Sequence, residues 1–444
     1  MIKIKNLVFL SFFIFIITSL YFQIKNIDNP KIGKSMQHVT DGALQVTRNW
    51  YDFGIIDLRF NQFFFKKSMG LDRASFANEE EYYKAYKKEI FNCINLTATH
   101  CPQSSKDYND LPYVSYPALG YVPIYLLKKK FPDLSFKILY KSILIFLYFF
   151  SALMLGKIFY DFTKRHLKFD KNLKYVLSLA IFLKFYFDSF LFIQFSSIWI
   201  AETIEPLFII FIIYSRYLIH HKMTNKNIYL YAVSLILFSF HNYLAYFYMF
   251  FDFLITLIII RKNMFTYFKL MVGAGLTSII INVSILYYGL FSFSSLKKIF
   301  VRTGTINELD NVQNLSIFEV YFDSIILNTA FKYLILIGFV IILVGIFFKK
   351  IFKSNEITIF LPIYLTFFLF FYLFQYYHVA HDFFMIKFHI LALLSIIPIL
   401  QLYKIIFEKF KSEKLEFLIK IKNFLFLFSI YFYFYFEAKQ IMLF

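Results

Sequence analysis

The sequence predicts an all-α polytopic membrane protein of about eleven transmembrane helices, with a large first external loop that carries juxtamembrane helices. Three observations predict it. Hydrophobic residues make up 59% of the 444 and charged residues 17%, with 65 Phe and 35 Tyr, a usage far from that of soluble domains. Apolar runs recur that are long enough to cross a hydrocarbon core of roughly 30 Å, which takes about 20 helical residues. The segments between them carry the lysines and arginines, in the alternating pattern that sets topology. A soluble fold would leave these runs in water and is excluded.

The formal net charge of +19 sits in short clusters between apolar spans, not along one face or tail. It therefore reads as basic loops retained in the cytoplasm, and no nucleic-acid partner is expected. The enrichment in Phe, Ile, Lys, Asn and Tyr fits a coding bias towards AT-rich codons, so aromatic density alone is no binding feature.

In chain order, residues 1–6 carry Lys3 and Lys5, and the apolar run 7–22 follows. No small-x-small cleavage site comes after it, which predicts an uncleaved first transmembrane helix with the N-terminus inside. Residues 24–136 then form the large external loop. The two cysteines of the chain, Cys93 and Cys101, both fall in it. A short-range disulfide between them suits an oxidising external compartment; two unrelated thiols are the alternative. Asn95-Leu96-Thr97 matches a glycosylation sequon, a weak signal on its own.

The stretch 113–127 is apolar but short, and contains Pro117 and Pro123. It reads as an interfacial or re-entrant helix. The next span, about 137–162, then runs inward and delivers Lys164, Arg165, His166 and Lys168 to the cytoplasm. Further spans follow near 174–195, 197–219, 228–243, 245–260, 267–290, 328–348, 357–377, 383–403 and 423–440. With this parity the loops 220–227, 261–269, 349–356 and 404–423 are all internal and all basic. A second external loop covers 291–326. No repeat or linker divides the chain, which reads as a single membrane unit over 1–444, with a central helix bundle at 137–290 and a C-terminal helix bundle at 327–444.

That topology places one set of polar residues at the outer face: His38 and Asp41, Glu202 and Glu205, His241 and Asn242, and His378, His381 and Asp382. Glu202 and Glu205 are three apart and share a face if helical. Carboxylates near hydrocarbon mark a pathway or site; solvation in the headgroup layer is the competing reading. His378, His381 and Asp382 have metal-ligand chemistry, without any HExxH spacing, and histidines in outer turns also serve as interfacial residues. Lys184 and Asp188, at i and i+4, are expected to neutralise each other inside a span. Asp252 has no local partner and is expected to face the bundle interior. Thr40 and Asp41 precede a helical pattern, so Asp41 reads either as an N-cap or as a functional carboxylate. Nothing resembles a phosphate-cradling glycine loop or a nucleophile elbow.

The layout resembles the GT-C superfamily of integral-membrane glycosyltransferases, which includes the protein mannosyltransferases and the aminoarabinose transferases of lipid A. The resemblance rests on one helix followed by a large external loop that opens with an acidic juxtamembrane motif, here His38-Val39-Thr40-Asp41-Gly42. It rests also on a Pro-Pro-Leu-Tyr-like closing motif, here Tyr116-Pro117-Ala118-Leu119-Gly120-Tyr121. Gly42 stands where relatives often carry a second acid, and His378 and His381 stand near the place of a basic residue at the start of a late span.

The resemblance implies transfer of a sugar from a polyprenyl-phosphate donor to a lipid, glycan or protein acceptor on the external face of a bacterial inner membrane, with inversion. Asp41 would be the general base. Arg302, Lys297, Lys298 and Arg48 would offset charge on the departing phosphate. His38, Tyr116, Glu202, Glu205, His241, His378 and His381 would complete the substrate site; no cofactor is required by this reading, and a divalent metal is the candidate. Three other readings compete. A transporter or flippase of lipid-linked glycans calls for repeats or broken helices that are not evident. An O-antigen ligase or polymerase has its large loop late in the chain. A non-catalytic membrane protein is the third.

Overall fold

A computed structural model describes residues 13, 17, 21, 37–58, 77–78, 80–82, 84–85, 87–88, 118–167, 171–186, 188, 204–260, 264–290, 329–347, 355–373 and 386–409. Tyr116, Glu202, Lys297, Lys298, Arg302, His378, His381, Asp382, both cysteines and the span at 423–440 lie outside these residues. Helix is the only regular structure among the described residues.

Residues 13, 17 and 21 are helical, and the first helix with a described range is α1 (Gln37–Phe53). A 3-10 turn, Ala118–Tyr121, leads into α2 (Val122–Lys130), with Pro123 in its first turn and Lys128, Lys129 and Lys130 in its last. Proline is tolerated where its missing N–H has no helical partner, and cations suit the negative end of the helix dipole. Lys128 Nζ donates to Pro132 O and, at 2.8 Å, to Leu134 O, fastening the connection to the next helix. Together the turn and α2 are roughly 20 Å long, too short to cross a hydrocarbon core.

The bundle follows: α3 (Phe136–Phe162), closed by the π-turn Thr163–Leu167, α4 (Lys171–Tyr186), α5 (Glu205–His221), α6 (Asn225–His241), α7 (Leu244–Ile255) with the π-turn Thr256–Ile260, and α8 (Met264–Leu290). Then come α9 (Thr329–Phe347), a 3-10 turn Asn355–Phe360 with α10 (Leu361–Leu373), and α11 (Ile386–Lys409). Helix starts are set by local chemistry: Ser135 Oγ accepts from Ile138 N at 3.2 Å, and Thr224 Oγ1 accepts from Asn227 N at 3.3 Å. Each satisfies an N–H that has no carbonyl within its own helix.

Among the described residues three helices are long and apolar enough to cross a membrane: Phe136–His166, Met264–Ile285 and Lys387–Ile405. Leu244–Ile259, Phe331–Phe347 and Thr358–Phe370 are shorter apolar helices. Only 28% of the Met264–Ile285 span is buried, against 61% of Lys387–Ile405, so α8 is peripheral and α11 central. This is an all-helical membrane protein.

The helices pack α3 on α4, α5 on α6, α6 on α8, α7 on α10 and α9 on α11. The α9–α11 contact is close because Gly338 has no side chain: a Cβ there would stand 2.6 Å from Tyr364 Oη and 2.7 Å from Ser395 Cβ. Tight loops at 222–224 and 242–243 make α5, α6 and α7 antiparallel neighbours. Asn242 Oδ1 accepts from Leu244 N at 2.9 Å and caps the second turn.

A separate apolar cluster holds α1. Ala43, Val46 and Trp50 bury against Tyr121, Tyr125, Tyr140, Leu144 and Ile204. Trp50 is fully buried and meets Tyr121 and Tyr125 edge to face at 6.2 and 6.4 Å. Tyr140 Oη lies 3.0 Å from Ala43 O and 3.2 Å from Thr47 Oγ1. The helix ends at Gly54, whose φ of +88° is the left-handed conformation that glycine adopts freely; its N–H donates to Trp50 O at 3.0 Å. Because α1 begins at Gln37, Asp41 lies inside the helix and not at its start. The N-cap reading of Asp41 is thereby corrected.

Candidate functional site at the α1 end of the bundle

Chain direction fixes which ends of the helices meet. The starts of α3, α5, α7, α9 and α11 and the ends of α4 and α6 gather at the end of the bundle that carries α1, as the contacts of Tyr140, Ile204 and His389 show. Three polar groupings lie there.

The first is an ion pair. Glu205 opens α5, where a carboxylate is favoured by the helix dipole, and Pro206 follows it in the first turn. Its Oε2 stands 2.8 Å from Lys387 Nζ in the first turn of α11, with side-chain exposures of 0% and 1%. Lys387 Nζ also lies 4.7 Å from the Phe370 ring centroid, a contact that favours a desolvated cation. The headgroup-solvated reading of Glu205 is therefore corrected: the carboxylate is enclosed by protein.

The second grouping is centred on Asp188. Lys184 Nζ reaches Asp188 Oδ2 at 2.9 Å, one turn apart as the spacing predicts, and His389 Nδ1 approaches the same oxygen at 3.3 Å. The His389 ring meets Phe331 edge to face at 5.2 Å, and Lys184 Nζ sits 5.1 Å from that ring. Residues two apart on a helix point in nearly opposite directions. The first turns of α11 thus send Lys387 to α5 and His389 to α4 and α9, and tie the two groupings together.

The third is aromatic. His241, at the end of α6, is buried with its ring 5.2 Å from Phe208, one turn beyond Glu205. Ile204, directly before Glu205, packs in the α1 cluster. Among the sequence-predicted site residues, Glu205, His241 and the helix bearing His38 and Asp41 thus come to one end of the bundle. Arg48, in contrast, is exposed on α1.

Among the described residues this end buries Lys141, Lys184, Lys332 and Lys387, together with Asp188 and Glu205. At the opposite end Arg216 and Asp252 are buried as a pair. Arg216 Nε donates to Asp252 Oδ1 at 2.7 Å, Tyr231 Oη donates to Asp252 Oδ2 at 2.6 Å, and Arg216 also reaches Thr256 at 2.9 Å and Tyr267. Asp252 faces the interior as expected, and its partner is a residue the sequence reading did not single out. Asp161 there pairs with Lys157 at 2.7 Å and accepts from Tyr214 Oη at 3.1 Å.

Sequence reasoning missed Lys141, Lys332, Lys387, His389 and Arg216. Each stands in an otherwise apolar run, and an ionisable residue inside such a run is itself the signal. Among the described residues no group of three or more His, Cys, Asp or Glu is placed to hold a metal ion, while His378, His381 and Glu202 lie outside them. Chemically, a buried ammonium held by a carboxylate is suited to an anion, because phosphate oxygens can replace or join the carboxylate around it. No protein-family model, curated protein or solved structure matches the chain.

Proposed function

We propose that the protein is a membrane glycosyltransferase that moves a sugar from a polyprenyl-phosphate-linked donor to a lipid, glycan or protein acceptor. The reading includes about eleven transmembrane helices, an internal N-terminus and a site on the external face of a bacterial inner membrane. The observation that carries it is the buried Glu205–Lys387 pair, gathered at the same end of the bundle as the helix that bears Asp41. Lys387 lies in the first turn of a late helix, six residues beyond His381.

In the reaction the acceptor oxygen attacks the anomeric carbon and the bond from that carbon to the phosphate oxygen breaks, with inversion. The electron pair leaves on the phosphate. The acceptor proton passes to Asp41 as general base. Lys387 offsets the charge that develops on the departing phosphate, where a fixed cation in a water-poor site acts most strongly.

A transporter or flippase of lipid-linked glycans is the second reading. What favours it is the burial of charge at both ends of the bundle, including Arg216–Asp252, since ionisable groups between spans also mark transport pathways.

Asp41→Asn separates the two. Membranes containing equal amounts of folded wild type and Asp41→Asn are assayed for sugar transfer from a polyprenyl-phosphate donor, and for donor translocation. Transfer by wild type that falls at least 100-fold in the variant, within the range typical of a lost general base, supports the enzyme. Full transfer by the variant sinks the assignment of Asp41; translocation without transfer by wild type establishes the second reading.

A further inference from the structure

The end of the bundle remote from α1 carries a basic cluster that the transfer reaction does not use. The span Phe136–His166 has 31 residues and is roughly 46 Å long at 1.5 Å per residue, as long as a bilayer with its headgroups. A helix of that length, placed across a bilayer, has its last turn at headgroup depth. That turn is the π-turn Thr163–Leu167, with Lys164 and Arg165 exposed. Single π-turns of this kind are frequent at functional sites.

The turn is firmly built. The Arg165 guanidinium lies 5.5 Å from the ring centroid of Tyr217 on α5, and Tyr217 is buried. Tyr217 Oη is 3.0 Å from His166 Nε2, and the His166 ring meets His221 edge to face at 6.2 Å. Lys404 of α11 donates to His166 O at 2.7 Å. The neighbouring carboxylate, Asp161, is already engaged by Lys157 and Tyr214. The guanidinium is thus held on an aromatic floor, with Lys164 beside it and three helices framing it.

We propose that the π-turn Thr163–Leu167 and the last turn of α5 bind the phosphate of an anionic phospholipid in the adjoining leaflet. Arg165 is the principal ligand, and Lys164 and His221 stand at the rim. A guanidinium fork matches two phosphate oxygens at once, and basic pockets between helices at this depth suit anionic headgroups. The site lies at the far end of the bundle from the Glu205–Lys387 pair and stands independently of the glycosyltransferase reading.

The test uses the purified full-length protein in detergent, titrated with phosphatidylglycerol, phosphatidylcholine or inorganic phosphate and read by native mass spectrometry. Wild type is expected to retain one phosphatidylglycerol in preference to phosphatidylcholine. At about fivefold per cation near a headgroup, Arg165→Gln weakens phosphatidylglycerol binding about fivefold and Lys164→Gln/Arg165→Gln about thirtyfold. Arg165→Lys retains most of it. Both side chains are exposed, so the variants keep the fold. Equal retention of the two lipids by wild type, or unchanged phosphatidylglycerol binding by the double variant, overturns the proposal. Displacement of the lipid by millimolar inorganic phosphate also overturns it, by revealing a site for free anions.

Discussion

Replacing Arg216 with Met should be among the most damaging single changes outside the proposed site. Arg216 and Asp252 stand 2.7 Å apart with side-chain exposures of 1% and 0%. At an effective permittivity of about 20 their gross attraction is about 6 kcal/mol, and desolvation of both ions offsets most of it. Removing one partner leaves the other buried without its counter-charge, which costs about 3–5 kcal/mol. Arg216→Met and Asp252→Leu are each expected to lose that amount. The double variant loses less, about 1–3 kcal/mol, because only the hydroxyls of Tyr231, Thr256 and Tyr267 then lack partners, at about 1 kcal/mol each. Unfolding in mixed micelles against denaturant measures all four proteins of the cycle. Losses that add to within about 0.5 kcal/mol in the double variant would refute the pairing.

Two further changes probe packing. Gly338→Ala places a methyl group 2.6 Å from Tyr364 Oη, and overpacking of this kind should cost about 1–3 kcal/mol, seen as a lowered thermal midpoint. Tyr140→Phe removes the hydroxyl that lies 3.0 Å from Ala43 O. It should cost about 1 kcal/mol and make the α1 segment more susceptible to limited proteolysis than the rest of the chain; uniform susceptibility would show that this contact does not hold α1.

What the sequence made legible follows from distance along the chain. Apolar runs are local signals, and the expected spans 137–162 and 245–260 lie close to α3 and to α7 with its π-turn. The Lys184–Asp188 pair was legible because its partners are one turn apart. The partners of Asp252 and Glu205 were not, since Arg216 and Lys387 are brought to them by the packing of different helices. His241 lies at the α1 end and is buried against Phe208, a contact between different helices that spacing along the chain does not reveal. Asp41 read as a helix start since Thr40 and Asp41 have capping chemistry, yet the helix begins at Gln37.

The location of the donor site is the central claim, and photo-cross-linking reads it directly. A polyprenyl-phosphate analogue with a diazirine next to the phosphate is irradiated with the full-length protein in membranes, and the labelled peptides are identified. Label at the starts of α5 and α11, around Glu205 and Lys387, that unlabelled polyprenyl phosphate competes away is the predicted result. Competed label at the other end of the bundle, around Tyr214 and Asp252, would contradict it.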